Sequence, residues 1–285
     1  MENTISELSF DQNWRHRPES IYSHWTRGEI ENQIQLAFRQ HWILIKEILN
    51  KPLKNLNVLE AGSGRGTMSC YFSDAGAKTT LLDNSQTVLD KAKNFFSNSN
   101  LEAEFLFASV EDIPLSSDMF DFVFSMGLLE HFEDPSQCIF EQLRVLKKGG
   151  VFFAYVIPEN KQNVQNQYQW VNQILKIYHK ENTQNSRLQE MEKNPVYRSS
   201  YNSDYYKRIL SNCLVGPFNV CGVYPIPMIS HSIDFPFSLM PKEAELSIVE
   251  NFQNYLENRK IASGRNSWIC DESFGQGFYL WCEKK

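Results

Sequence analysis

The sequence lacks the features that mark several large protein classes. No C-x-x-C pair occurs among its six cysteines, so neither a zinc site nor a disulfide framework is indicated. No run approaches the roughly 18 apolar residues of a membrane-spanning helix, and the first twenty residues have no apolar signal-peptide core. We therefore expect a cytoplasmic protein without a membrane partner, in which the thiols are reduced and mostly pack in the interior: Cys70, Cys138, Cys213, Cys221, Cys270 and Cys282.

Basic residues are also too few for a typical nucleic-acid-binding surface. The chain of 285 residues has 28 Lys and Arg against 34 Asp and Glu, a net charge of −6. Binding to a phosphate backbone normally requires a clustered basic face. We expect no nucleic-acid partner, and the length allows one large domain with sizeable insertions.

A central region alternates short β-branched or aromatic runs with helical patterns, which is typical of βαβ units around a parallel sheet. Ser85 can cap one helix, and Pro135 can begin another that ends at Gly149 and Gly150. The sequence therefore predicts an α/β fold with a doubly wound, mostly parallel sheet of seven strands. The predicted strands are 57–62, 78–83, 104–109, 120–126, 150–157, 218–224 and 277–283.

Helical patterns flank this core. Apolar residues recur at helical spacing from Ile30 to Leu49 and from Val164 to Tyr178, a further helix is expected over 203–213, and Pro241 can begin another one. The expected divisions are an N-terminal lid and helix (1–50), a ligand-binding core (51–158), a helical insertion that caps the core (159–202), and the end of the sheet (203–285) with a second insertion at about 228–270.

The first predicted strand runs straight into a glycine-rich turn with Gly62, Gly64 and Gly66. Residues without Cβ let the backbone pass close to a ligand, although an ordinary tight loop would show the same glycines. The dinucleotide fingerprint G-x-G-x-x-G is not matched, because Thr67 stands where its last glycine belongs. The turn predicts a nucleoside-bearing ligand and disfavours NAD.

The arrangement E-x-G-x-G-x-G resembles the first motif of class I S-adenosylmethionine-dependent methyltransferases. The resemblance implies the cofactor S-adenosyl-L-methionine and the product S-adenosyl-L-homocysteine. It also implies that Glu60 supports the site near the cofactor's ammonium group, and that Gly62, Ser63 and Gly64 lie against the methionyl chain and ribose.

Two later segments extend the resemblance. Asp83 ends the second predicted strand, where the family has an acid that accepts hydrogen bonds from the ribose hydroxyls, and Asn84 then falls beside the adenine. Asp83 or Ser85 could also cap the next helix, and both roles of Asp83 can hold together. Ser109, Val110 and Glu111 match the family's adenine-reading segment, but Ser109 replaces the usual Asp, so we expect a weaker or shifted adenine contact.

The segment from Ser125 to Pro135 matches the region after the fourth strand, where Ser125 and Met126 would touch the cofactor. Methyl transfer from a sulfonium is a direct displacement that depends on alignment, and it needs a base only when the acceptor arrives protonated. His131 is the candidate catalytic base, because it follows the carboxyl end of this strand. The alternative is a structural role, and His24, His231 and Asp234 are reserve candidates.

The flanking segments carry many aromatic residues, and among them Tyr22 and Trp25 are candidates for cofactor contact. Such side chains suit an apolar, aromatic or cationic ligand, or else form the core of a small cap. The chain lacks the N-P-P-Y or D-P-P-Y segment of enzymes that methylate nucleic-acid bases. We expect methyl transfer to an O or N atom of a small molecule; a non-methylating enzyme of the same fold and a silent binding protein are the alternatives. Nothing indicates an oligomeric state.

Overall fold

A computed structural model of the chain describes residues 23–159, 197–225, 242–264 and 266–285. Its helices are α1 (Gln33–Leu49), α2 (Thr67–Asp74), α3 (Gln86–Asn98), α4 (Ser136–Val145), α5 (Ser203–Leu210) and α6 (Lys242–Ser263). Its strands are β1 (Asn57–Ala61), β2 (Lys78–Asp83), β3 (Glu104–Phe107), β4 (Phe120–Met126), β5 (Leu146–Val156), β6 (Asn219–Val223), β7 (Ile269–Cys270) and β8 (Gly277–Glu283). A short 3₁₀ turn covers Leu129–His131.

The strands form one sheet in the order β3-β2-β1-β4-β5-β8-β6-β7. Strands β1 to β5 are parallel to one another, and β8 lies antiparallel between β5 and β6. The predicted doubly wound fold is confirmed. The described residues contain eight strands rather than seven, because the two-residue strand β7 pairs with β6 and is too short to show an alternating sequence pattern.

Alternate residues along the strands supply two hydrophobic layers, as expected for a sheet that is covered on both faces. One layer packs under α1, α2, α3 and α6, and its strand residues include Val58, Phe122 and Tyr279. The other layer packs under α4 and α5, with Leu59 and Val123 among its members. Among the described helices, none combines the length and apolar character needed to span a bilayer.

Several predicted helices have different limits in the structure. Helix α4 ends at Val145 instead of Gly149, because the buried Leu146 pairs with Phe120 and so begins β5 early. Helix α5 ends at Leu210, short of the predicted residue 213. Ser85 does cap α3, since its hydroxyl accepts a hydrogen bond from Val88 N at 3.3 Å. The predicted helix from Val164 to Tyr178 lies outside the described residues.

Helices α1 and α6 run side by side in the same direction. At one end, the buried Glu245 of α6 accepts a hydrogen bond from Gln33 N, the first residue of α1, at 3.0 Å. At the other end, Asn266 Nδ2, just past α6, donates to Glu47 of α1 at 2.6 Å. Because α1 leads into the start of β1, both helices begin at the carboxyl edge of the sheet.

Candidate active site

The candidate site lies where the strand order reverses, between β1 and β4. Ligands of open α/β sheets bind outside the carboxyl ends of the strands at such a point. Asp83 O accepts a hydrogen bond from Ala108 N at 3.1 Å, and Gly127 N donates to Tyr155 O at 2.8 Å. These bonds hold the segments that follow β3 and β4 against the ends of β2 and β5, respectively. The four predicted motifs therefore meet at one edge.

The glycine turn adopts a backbone that side chains would disfavour. Gly62, Gly64 and Gly66 have φ of 64°, 53° and 67°. A Cβ on Gly62 would lie 2.6 Å from Leu128 Cδ1, so the turn packs directly on the segment after β4. The turn needs glycine here for both conformation and space.

Asp83 ties the second strand to the glycine turn. Its Oδ2 accepts a hydrogen bond from Gly64 N at 2.9 Å, and its Oδ1 accepts one from Ser85 N at 3.0 Å. The carboxylate therefore fixes the position of Gly64 and sits at the mouth of the site, half-buried, beside the exposed Asn84. A carboxylate only accepts hydrogen bonds, so its chemistry at this position suits the hydroxyl groups of a ligand.

Glu60 is a buried carboxyl directly below the turn. Its Oε2 accepts hydrogen bonds from Ser69 N at 3.1 Å and from Ser69 Oγ at 2.6 Å. Burial raises the pKa of Glu60 to about 8, against the opposing effect of the Ser69 bonds, and the charge of Asp83 raises it further. A positive group placed nearby would lower this pKa, so the carboxyl can respond to a cationic ligand.

The segment after β3 contributes a hydroxyl group, that of Ser109, where the preceding segments contribute carboxyl groups. Ser109 Oγ accepts a hydrogen bond from Glu111 N at 3.2 Å, which fixes a local turn, while Val110 is buried and Glu111 is exposed. Ser109 is therefore the half-buried polar residue at the predicted adenine position, and its hydroxyl carries no charge.

The end of β4 contributes Ser125, which is fully buried, and Met126, which is half-buried. The hydroxyls of Ser125 and Ser63 are both buried and have no hydrogen-bond partner among the described residues. Buried hydroxyls are usually satisfied, so two such groups at predicted cofactor positions are compatible with a ligand or a bound water.

Glu130 is a functional candidate that the sequence reasoning missed. It is completely buried in the turn after β4, and neither carboxyl oxygen has a hydrogen-bond partner within the described part of the chain. Burial raises its pKa to about 7, although its own backbone N–H, Arg198 and the N–H of Ile157 favour ionisation. The L-E-H pattern indicates that Glu130 lies in the turn after β4. Its burial could not be predicted, because it depends on residues distant in sequence, such as Ser199, whose N–H donates to Glu130 O.

His131 contacts the chain that returns near residue 197. Its Nδ1 lies 2.7 Å from Tyr197 O, so Nδ1 carries a proton and donates to that carbonyl. Burial lowers the pKa of His131 to about 4, and the charge of Arg198 lowers it further, against the Tyr197 bond. The imidazole is thus neutral near pH 7. Ser199 N also donates to Glu130 O at 2.7 Å, so the Glu130–His131 turn anchors this part of the chain.

The N-terminal segment packs on the core beside the glycine turn. Trp25 is buried edge-on against Tyr71 of α2 and Phe95 of α3, with ring centroids 6.2 and 6.4 Å away. His24 Nε2 lies 3.2 Å from Nη1 of Arg65, which is part of the glycine turn. Tyr22, like His231 and Asp234, lies outside the described residues.

Comparison with known proteins is consistent with this geometry. Residues 59–154, from β1 to β5, match the family described as "Methyltransferase domain". The core is thus similar to the methyltransferase domains of that family. Its family resemblance, predicted from the four motifs, is confirmed.

Relatives of the methyltransferase domain cover only part of this chain. Ubiquinone biosynthesis O-methyltransferase of Coxiella burnetii is 32% identical over 108 residues, which is 38% of this chain and 46% of that protein. The enzyme of the same name from Pelagibacter ubique is 32% identical over 104 residues, 36% of this chain and 43% of that protein. The chain thus spans a little under half the length of the curated relatives it matches.

Two solved structures share the fold over most of this chain. A SAM-dependent methyltransferase from Thermotoga maritima has a TM-score of 0.51 at 14% identity, covering 88% of this chain and 91% of its own. A methyltransferase from Haloferax volcanii, solved with the activator Trm112, has a TM-score of 0.52 at 15% identity, covering 99% and 98%. At these identities the likeness shows the architecture alone.

The residues present fit the cofactor of this methyltransferase family, S-adenosylmethionine. Beside the turn, Asp83 supplies a carboxylate, a group that accepts hydrogen bonds from hydroxyls, and the buried Ser63 and Ser125 hydroxyls lack protein partners in the described regions. The structure brings together the predicted residues of the turn and of the ends of β2, β3 and β4. It places Trp25 in a packing position beside them.

Proposed function

We propose that this protein transfers the methyl group of S-adenosyl-L-methionine to an O or N atom of a small, aromatic or apolar molecule. The observation that carries the proposal is the glycine turn held by Asp83 at the β1/β4 switch point, within a methyltransferase domain. When bound, the cofactor supplies a methyl group activated on a sulfonium. The curated relatives are named O-methyltransferases, which favours an oxygen acceptor.

The roles of the chain's own residues in this proposal are binding and alignment. Asp83 accepts hydrogen bonds from ribose hydroxyls, the backbone of the glycine turn lies along the methionyl chain, and Glu60 faces its ammonium group. Ser109, Val110 and Asn84 surround the adenine. Direct displacement gains most from holding the acceptor atom, methyl and sulfur in line in a closed site.

The acceptor is proposed to be small because the chain is acidic and carries no clustered basic face by sequence. We assign acceptor recognition to the segments outside residues 51–158, with residues 1–50 and 159–202 as the covering elements. Among the described residues, Ser199 is anchored to the turn after β4, since its N–H donates to Glu130 O.

The direct test uses the purified protein with labelled S-adenosylmethionine and fractionated metabolite extracts. We expect one fraction to yield a product heavier by one methyl group, with S-adenosylhomocysteine formed in equal amount. A protein that binds the cofactor yet converts no fraction would favour the alternative of a silent binding protein. Cofactor consumption without methylated product would favour a non-methylating reaction.

His131 remains the candidate base, and two substitutions separate that role from anchoring. In His131→Asn the amide nitrogen can replace Nδ1 as donor to Tyr197 O, whereas His131→Gln places its amide near the other ring nitrogen. If His131 only anchors, we expect the Asn variant to keep its rate within about tenfold. Loss of a general base would lower the rate roughly 10²- to 10⁴-fold in both variants, with S-adenosylhomocysteine affinity unchanged.

A further inference from the structure

Arg39 is a half-buried residue in the middle of α1, and its positive charge has neutral partners. Its Nη2 donates hydrogen bonds to Thr26 O and Gly28 O, both at 3.0 Å. The ion pairs found among the described residues, such as Arg27 with Asp74, do not include Arg39. Removing a charge from water is costly unless the charge is paired. Within the described part of the chain, Arg39 therefore has hydrogen-bond acceptors but no counter-ion.

Three buried polar atoms at this place have no hydrogen-bond partner among the described residues. They are Arg39 Nε, Trp25 Nε1 and the hydroxyl oxygen of Tyr71. The side chains of Trp25 and Tyr71 are almost completely buried, at 7% and 6% exposure. Because buried polar groups are normally hydrogen-bonded, three such atoms on neighbouring side chains require a physical explanation.

The three side chains pack on one another. The guanidinium carbon of Arg39 lies 5.7 Å from the centre of the Tyr71 ring, and the Trp25 ring meets the same ring edge-on at 6.2 Å. Burial raises the pKa of Tyr71, against the effect of the nearby Arg39 charge, so its hydroxyl keeps its proton near pH 7. The cluster therefore joins α1, α2 and the N-terminal segment of residues 23–28.

These groups require an acceptor from outside the cluster. An indole N–H and a guanidinium only donate hydrogen bonds, so Trp25 and Arg39 cannot satisfy each other. The Tyr71 oxygen, which could accept, bonds to neither of them. An anion can accept from all three donors and supplies a negative charge beside Arg39, whereas a water molecule supplies no charge. The chemistry of the cluster thus favours an anion.

We propose that Trp25, Arg39 and Tyr71 bind a small monovalent anion, such as chloride or formate. The ion is small because the three polar atoms are buried, and one negative charge balances one guanidinium. It joins the N-terminal segment to the core next to the glycine turn, where His24 Nε2 lies 3.2 Å from Arg65 Nη1. The inference is independent of the proposed function, since neither cofactor nor methyl acceptor takes part.

Melting curves at constant ionic strength test the site. The protein is prepared in sodium gluconate, whose anion is too large for a buried site, and gluconate is replaced stepwise by chloride or by formate. A ligand that binds only the folded protein stabilises it by RT ln(1 + [L]/Kd). We expect the melting temperature to rise with the logarithm of the chloride or formate concentration above a Kd of roughly 1 mM.

Three substitutions each remove one donor. Trp25→Phe and Tyr71→Phe keep an aromatic ring without the N–H or the hydroxyl, and each should weaken anion binding about tenfold. Arg39→Gln removes the charge as well, and should weaken binding about 10- to 100-fold. Circular dichroism establishes that each variant is folded, and the two Phe variants keep the test decisive if Arg39→Gln does not fold.

Arg259 provides a matched control. Its guanidinium carbon lies 4.4 Å from the centre of the Tyr224 ring, and it donates to two backbone carbonyls, Ser267 O and Ile269 O. Its surroundings thus resemble those of Arg39, except that its Nε is one of the bonded donors. Arg259→Gln can lower the melting temperature, but its response to chloride and formate should equal that of the parent.

Two results would contradict the inference. If neither chloride nor formate changes the melting temperature of the parent, water or the rest of the chain satisfies the three donors, and the anion site does not exist. If Arg39→Gln, Trp25→Phe and Tyr71→Phe all respond as the parent does, the anion acts elsewhere on the protein.

Discussion

Asp83 holds the glycine turn in place and is also the proposed ribose-binding acid. Asp83→Ala removes the acceptor for Gly64 N and the proposed acceptor for the ribose hydroxyls. We expect S-adenosylhomocysteine binding to weaken by ~1–3 kcal/mol, measured by calorimetry. Asp90→Ala, an exposed acid on α3, is the control. Unchanged affinity in a folded Asp83→Ala protein would remove this residue from the site.

The buried carboxyls predict how stability depends on pH. The pKa values of Glu60 and Glu130 are raised to about 8 and about 7, so the unfolded chain ionises these groups first as pH rises. Their contribution to stability is therefore full below about pH 4.5 and is lost between there and about pH 8.

Glu130→Gln should remove one part of this dependence. Between pH 5 and pH 8 the parent loses the stability contributed by Glu130, whereas the variant does not, because glutamine does not titrate. The free energy of unfolding of the variant should therefore rise relative to that of the parent. The relative gain is on the order of 3 kcal/mol, and it is read from urea unfolding at each pH. Glu133→Gln, an exposed neighbour, is the control. A pH-independent difference between variant and parent would show that Glu130 is already ionised in the folded protein.

At the scale of single elements, the glycine turn allows a prediction with an internal control. Gly62, Gly66 and Gly149 all have positive φ, but a Cβ would clash with Leu128 at residue 62 and with Leu81 at residue 66, and would meet nothing within 4 Å at residue 149. Gly149→Ala therefore costs backbone strain alone, about 1 kcal/mol. Gly62→Ala and Gly66→Ala should each cost ~1–3 kcal/mol more by urea unfolding. Equal losses at all three would mean that the turn can relax around a methyl group.

The elements also show what the sequence could predict. Strands β1 to β4 and the cap at Ser85 could be predicted from local sequence patterns. The contact between Gly64 and Asp83 could also be predicted, because parallel strands end at the same edge of a sheet. The early end of α4 did not follow, because pairing of Leu146 with Phe120 overrides the local glycine signal. Glu245 shows the same limit, because this charged residue of α6 is buried and accepts a hydrogen bond from the first residue of α1, a contact that the local pattern of α6 does not show.

At the scale of the whole molecule, the order of the strands explains why a nucleoside ligand is expected. The glycine turn determines which nucleoside ligand fits. Dinucleotide-binding enzymes use the same switch point, with a third glycine where helix and strand pack closely. Here that place is taken by Thr67, the first residue of α2, which is buried. Gly66 instead packs against Leu81 and Phe96, so the helix begins one residue after a left-handed glycine.

This difference predicts ligand selectivity that thermal unfolding can measure. A ligand that binds only the folded protein raises its stability by RT ln(1 + [L]/Kd), about 2.7 kcal/mol at a hundredfold excess over Kd. We expect S-adenosylhomocysteine to raise the melting temperature progressively with concentration. NAD and NADP at the same concentrations should give no shift, because the turn lacks the dinucleotide spacing and Asp83 already engages Gly64 N and Ser85 N. A comparable shift from either dinucleotide would point to an oxidoreductase. The same sheet occurs in methyltransferases and in dinucleotide-dependent oxidoreductases, so the sequence of the turn is what distinguishes the two classes here.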